Sequence, residues 1–198
     1  MPQGTESHRD LTKGQRRVLL LLLIGAPGSG NEVGEPIFGT TRLQKLLFLL
    51  KHEYSVERYL QAYNFEAFRY GPFAKELYDD LEFLENLGLI RAQPFGPQTH
   101  QEEWEEDVLD KNLYLTFEEE AEAEAPQGRA YRLTERGSSK YNALQAQLRD
   151  QGIDVDSLLA AISEVKSAFG EMPLTQLISY VYGQYPDYAE QSQLKHLK

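Results

Sequence analysis

Thr41-Arg-Leu-Gln-Lys-Leu-Leu-Phe-Leu-Leu50 is the stretch on which the fold of this chain turns. Leu43, Leu46, Leu47 and Leu50 recur at helical spacing, and Phe48 and Leu49 fill the opposite side. The segment therefore predicts a helix buried nearly all round. Its polar residues, Arg42, Gln44 and Lys45, are confined to the opening turn, which Thr40 or Thr41 can cap. Further on, Phe68-Arg-Tyr-Gly-Pro-Phe-Ala-Lys-Glu-Leu77 reads as an extended segment that breaks at Gly71-Pro72 and enters another helix.

Working outward, residues 1–10 are polar, and a first helix is expected from about Leu11 to Ile24. Gly25–Pro36 holds four glycines and two prolines and is a loop. Asn64–Tyr70 alternates as a short strand. A helix over Phe73–Leu87 carries Phe73, Leu77, Leu81 and Leu84 on one face, and Gly88 closes it. Strands are expected at Leu89–Ala92, Leu113–Phe117 and Tyr131–Leu133. Helices follow from Thr134 to about Arg149, over Ser157–Phe169 and over Leu174–Tyr182. This order predicts an α+β, mainly helical protein. Its winged-helix-like core comprises residues 11–95 and 128–150, with a small β-wing. Residues 96–127 form an acidic insertion in that wing, and residues 153–192 a C-terminal helical extension packed on the core.

The chain of 198 residues is 41% hydrophobic and 26% charged, an ordinary globular composition. It contains no cysteine, which excludes disulfides, thiolate zinc sites and cysteine nucleophiles and fits a cytoplasmic home. The formal charge of −11 is unevenly placed. Residues 97–125 hold eleven acids against Lys111 and carry −10, leaving −1 for everything else. Global acidity therefore does not exclude a nucleic-acid partner. Val18–Ile24, behind Lys13, Arg16 and Arg17, resembles the apolar part of a signal peptide. A buried first helix is the expectation, because Glu6 and Asp10 dilute the basic start. The run is also far below the roughly 20 residues of a membrane span.

Catalytic patterns fail on inspection. Gly25-Ala-Pro-Gly-Ser-Gly30 resembles a phosphate-binding loop, yet Asn31 stands where a lysine is needed and Glu32 where a hydroxyl should hold magnesium. His8, His52, His100 and His196 are scattered, and the acids around Glu102–Glu106 lack the order of a calcium loop. No Gly-x-Ser-x-Gly elbow occurs. No catalytic, cofactor or metal residue is nominated, and a non-enzymatic role is expected; a hydrolase of unknown substrate stands third among the functional readings.

In helix-turn-helix docking the third helix enters the major groove. Here Phe73–Leu87 sets Glu76, Asp79, Asp80, Glu82 and Glu85 against Lys75, a net of −4, the wrong sign for phosphates. Arg129, Arg132, Arg136 and Lys140 lie around the wing and the next helix and are the candidate DNA contacts of an alternative reading, a winged-helix transcription regulator. Their plain reading is surface solvation and pairing with the acidic insertion. Tyr180, Tyr182, Tyr185 and Tyr188 form the densest aromatic cluster. Tyr182 is expected to close the core, whereas Tyr185 and Tyr188 are either core-closing rings or a partner surface.

Three segments carry a resemblance to a known family. These are Arg42-Leu-Gln-Lys-Leu-x-Phe48, the Arg69-Tyr70-Gly71-Pro72-Phe73 break before Lys75-Glu76-Leu77, and Leu177-Ile178-x-Tyr180-Val181-Tyr182-x-x-Tyr185-Pro186. Together they resemble the Panacea (SocA-like antitoxin) domain and the related YwgA-like bacterial proteins, over residues 10–95 and 128–192. The resemblance implies a non-catalytic antitoxin-like or adaptor-like module that binds a protein partner. It also implies mostly structural roles for Arg42, Gln44, Lys45, Arg69, Tyr70, Gly71 and Pro72.

Overall fold

The computed structural model describes residues 4–95, 128–192 and 194. Among them are six α-helices: α1 (Gly4–Gly25), α2 (Thr40–His52), α3 (Glu76–Asn86), α4 (Glu135–Asp150), α5 (Val155–Phe169) and α6 (Leu174–Gln184). Strands β1 (Ile37–Phe38), β4 (Ile90–Phe95) and β5 (Gly128–Leu133) form an antiparallel sheet in the order β1-β5-β4. Strands β2 (Glu66–Phe68) and β3 (Gly71–Phe73) form a separate hairpin. The protein is α+β and mainly helical, as its sequence predicts.

Helix α2 is the axis of the core. Eleven consecutive residues, Thr40 to Leu50, are buried, and α5 and α6 pack against them. Leu19 to Ile24 of α1 are likewise buried, so the run that resembles a signal peptide is core. Helix α1 also packs on α3, α4 and α5.

Four local expectations are corrected. Helix α1 begins at Gly4, well before Leu11. The helix expected from Phe73 starts only at Glu76, because Gly71–Phe73 pairs with Glu66–Phe68 around a two-residue turn, Arg69-Tyr70. Gly71 sits at φ +92°, and a β-carbon there would stand 2.9 Å from the Tyr182 ring, so a glycine is needed on both counts. Pro72 is tolerated in this two-stranded ribbon, which has no central strand. Neither threonine caps α2. The N-cap is Gly39, and the Thr40 hydroxyl instead meets the Tyr131 hydroxyl at 2.7 Å. Helices α5 and α6 run Val155–Phe169 and Leu174–Gln184, slightly longer than expected. The strand expected at Leu113–Phe117 lies outside the described residues.

Helix α4 starts where the sequence places it, just after Thr134. Thr134 caps α4 by accepting the Gly137 amide at 3.0 Å, and its hydroxyl donates to the Gly88 carbonyl at 2.6 Å. A β-carbon at Gly137 would overlap the Leu89 carbonyl, so glycine lets α4 start flush against the chain leaving α3.

Asp80, on the inner side of α3, locks that helix to α1. It is 1% exposed and accepts from Arg17 Nε at 2.8 Å, Arg16 Nε at 3.3 Å and the Tyr63 hydroxyl at 3.1 Å. Burial, then the Asp80 charge, pushes the Tyr63 hydroxyl well above its ordinary pKa. Removing a buried carboxylate strands its cations, so Asp80→Ala is expected to cost about 3–5 kcal/mol. Asp80→Asn, which keeps part of the hydrogen bonding, should cost less; urea unfolding of the three proteins checks the order.

Candidate functional site

The polar turn of α2 is the first place to look for chemistry. Arg42 is 1% exposed and donates to three backbone carbonyls: Phe38 and Phe169 at 3.2 Å each and Met172 at 2.5 Å. Gln44 holds Ala74 from both sides, accepting its amide at 2.9 Å and donating to its carbonyl at 3.1 Å. Lys45 Nζ donates to the Pro72 carbonyl at 3.0 Å. Buried donors need acceptors, and here the main chain supplies them. The gap beside these residues, bordered by Tyr70, Gly71 and Pro72, measures about 10 Å³, room for one water and no ligand. Arg69 lies on the turn, its guanidinium 5.7 Å from the Phe68 ring centre.

The glycine-rich loop shows why it resembles a phosphate site. Its amides converge on an anion, but the anion is the chain's own Glu35 carboxylate. Glu35 accepts the Glu32 amide at 2.7 Å and also the amides of Gly28 and Gly30. Burial works to raise the Glu35 pKa; the three amides and the Lys166 charge outweigh it and hold the carboxyl below its ordinary value. Lys166 lies beneath the loop, 3% exposed, and donates to the carbonyls of Ile24 at 3.0 Å, Ala26 at 2.6 Å and Glu35 at 2.9 Å. All its protons are committed, which makes it a strut. Burial pushes its pKa down to about 8, with Glu35 opposing. Beside it opens a cleft of about 460 Å³ bordered by Ser29, Glu35, Phe38, Lys166 and Glu171. Sequence reasoning missed Lys166. The signal was its place one turn after Ile162 on the apolar stripe of α5, beside Val165.

Two surfaces of opposite sign remain. On α3, Asp79, Glu82 and Glu85 are exposed, and Lys75 precedes them. Asp80 is turned inward, which corrects its place among the outward acids. Phe83 and Leu87 are exposed large apolar residues on the same helical side. The other surface is the β4–β5 hairpin. Arg91 lies directly opposite Arg132, and Arg129 opposite Pro94. Arg91, Arg129 and Arg132 are all exposed, as are Arg136 and Lys140 on α4. Arg91 was missed from sequence because only the register pairs it with Arg132. The acidic insertion, 96–127, lies outside the described residues.

Tyr185 and Tyr188 are half-buried. Their rings meet Phe48 edge-on at 4.9 and 4.8 Å, and the Tyr185 ring lies 5.4 Å from His52. Tyr180 and Tyr185 both donate to Glu53, at 3.1 and 3.4 Å. Burial, then Glu53, pushes the Tyr185 hydroxyl up to about 12. Tyr182 is buried, as expected, with its hydroxyl 2.6 Å from that of Ser192. Among the described residues no cluster of three metal-ligating side chains occurs, and no helix is long and apolar enough to cross a membrane.

No protein-family model matches this sequence, and no curated protein matches it.

Lys166 makes the fold sensitive to pH in a definite direction. Its folded pKa of about 8 lies below the ordinary 10.5, so above about pH 8 the unfolded chain holds the extra proton and stability rises with pH. Between about pH 8 and 9.5 the gain should be on the order of 1–2 kcal/mol. Lys166→Met should abolish the rise while lowering stability at neutral pH, because three carbonyls lose their donor. Urea unfolding of both proteins across that range is the check.

Proposed function

We propose that this chain is a non-enzymatic bacterial protein-interaction module, antitoxin-like or adaptor-like, whose principal partner is another protein. The observation that carries this is the outward side of α3, where Asp79, Glu82 and Glu85 stand with Phe83 and Leu87. Residues 11–95 and 128–150 make a winged-helix-like core in this reading, supported by the sheet order β1-β5-β4 and by α3 leading straight into β4. Residues 153–192 extend that core, and the cytoplasm is the compartment. The helix that would enter a DNA groove is then the one whose surface repels phosphates. The polar residues of α2's first turn support the same reading, since Arg42, Gln44 and Lys45 hold backbone groups and tie the frame together.

A second reading, a transcription regulator that touches DNA through its wing, has one specific observation behind it. Arg91 and Arg132 face each other across the hairpin, and like charges directly opposite destabilise a sheet unless something relieves them. Phosphates would do so. Electrophoretic titration against genomic duplex DNA at graded salt separates the two. The expected result is weak binding that is gone by about 0.15 M salt. Tight binding with a steep salt slope, lost in Arg132→Ala/Arg136→Ala, would overturn the protein-partner reading.

A further inference from the structure

We infer that the outward stripe of α3 is a docking site for a basic, amphipathic helical segment of another protein. This rests on the protein-binding reading and gives it a place and a chemistry. Asp79, Glu82, Phe83, Asn86 and Leu87 recur at the spacing of one helical face, and every one of them is exposed. The opposite face, Leu77, Leu81 and Leu84, is buried in the core. Helix α3 is thus apolar on two sides. Phe83 and Leu87, one turn apart, are 38% and 39% exposed and flanked by carboxylates.

Charge selects the occupant. A second copy docked isologously would bring Asp79 and Glu82 against themselves. The chain's own insertion, −10 over residues 97–125, meets the same repulsion. Duplex DNA is repelled for the same reason. A segment with apolar anchors and flanking lysines or arginines satisfies both features of the stripe. The chain itself shows how a cation sits here. The Arg17 guanidinium lies 3.6 Å from the centre of the Phe83 ring while its Nε bonds Asp80 at 2.8 Å. An incoming cation has Asp79 and Glu82 for partners, and its apolar anchor has Leu87.

The test uses the full chain and a labelled helical peptide of about 14 residues, leucines on one face and lysines on the other, titrated by fluorescence anisotropy. A peptide with glutamates for lysines is the control. Binding of the lysine peptide alone is expected, with amide-exchange protection over residues 79–87. Leu87→Ser should weaken it about tenfold with every charge retained, and Asp79→Lys/Glu82→Lys should move the preference to the glutamate peptide. Phe83→Ser is a second apolar variant, in case one substitution disturbs the helix; unchanged melting certifies each protein. Binding unchanged in these variants, or no binding, overturns the site. Protection confined to the Tyr185–Tyr188 turn overturns it too but leaves the protein-binding reading standing. Steep salt-dependent DNA binding through Arg132 and Arg136 overturns both.

Discussion

A helix buried on every side must satisfy whatever polar groups it carries, and that requirement organises this protein around the first turn of α2. Arg42, Gln44 and Lys45 lie at 1–2% exposure, where an unpaired charge or amide would cost several kcal/mol. Each reaches main-chain groups on a different segment: Arg42 the end of α5 and the approach to α6, Gln44 the link between β3 and α3, Lys45 the β3 strand. Because these acceptors are backbone carbonyls, the bonds fix chain paths independently of the side chains carried there. Lys166 repeats the device under the glycine-rich loop, and Asp80 does so in reverse, with a buried acid gathering two arginines and a tyrosine.

Once the buried charges are accounted for, two groups of opposite sign stand close together in the chain. The exposed acids of α3 and the exposed arginines of the hairpin are joined by only a short link, since α3 ends at Asn86 and β4 begins at Ile90. A polyanion and a polycation would therefore be drawn to adjoining but different faces. The acidic side has apolar anchors within it, which long-range charge alone does not require. Anchors add contact area and desolvation, the features of a protein interface core. Among the described residues no exposed large apolar side chain accompanies Arg91 and Arg132 on the hairpin, which suits a screened, salt-sensitive contact.

Much of this frame was legible in the sequence, and the parts that were not share a cause. The apolar periodicity of Leu43–Leu50 and the Thr134-x-x-Gly137 turn announce themselves locally, because helical spacing and capping depend on neighbours in the chain. Gly71-Pro72 was misread as a helix entry because proline suits both a first helical turn and a two-stranded ribbon, and only the pairing with Glu66–Phe68 decides. Asp80 was counted as an outward charge because its partners, Arg16 and Arg17, lie more than sixty residues away. Arg91 gained meaning only from the strand register. The loop at Gly25–Gly30 was rightly read as lacking its lysine, but the reason its amides still converge, Glu35, lies outside the motif.

Where a resemblance rests on residues that hold the frame, it carries information about the frame. The matched side chains Arg42, Gln44 and Lys45, and the matched Gly71 and Pro72, are buried and engaged with the chain itself. Two proteins could share all of them and bind unrelated partners, because none of these residues offers a partner anything to touch. Specificity has to come from side chains other than these five. Asp79, Glu82, Phe83 and Leu87 meet that condition: all are exposed, and none belongs to the motif. In the proposed reading the chemistry of the partner follows from the sign and shape of the α3 surface, and Asp80, bonded to Arg16 and Arg17, ties the helix that carries that surface to α1.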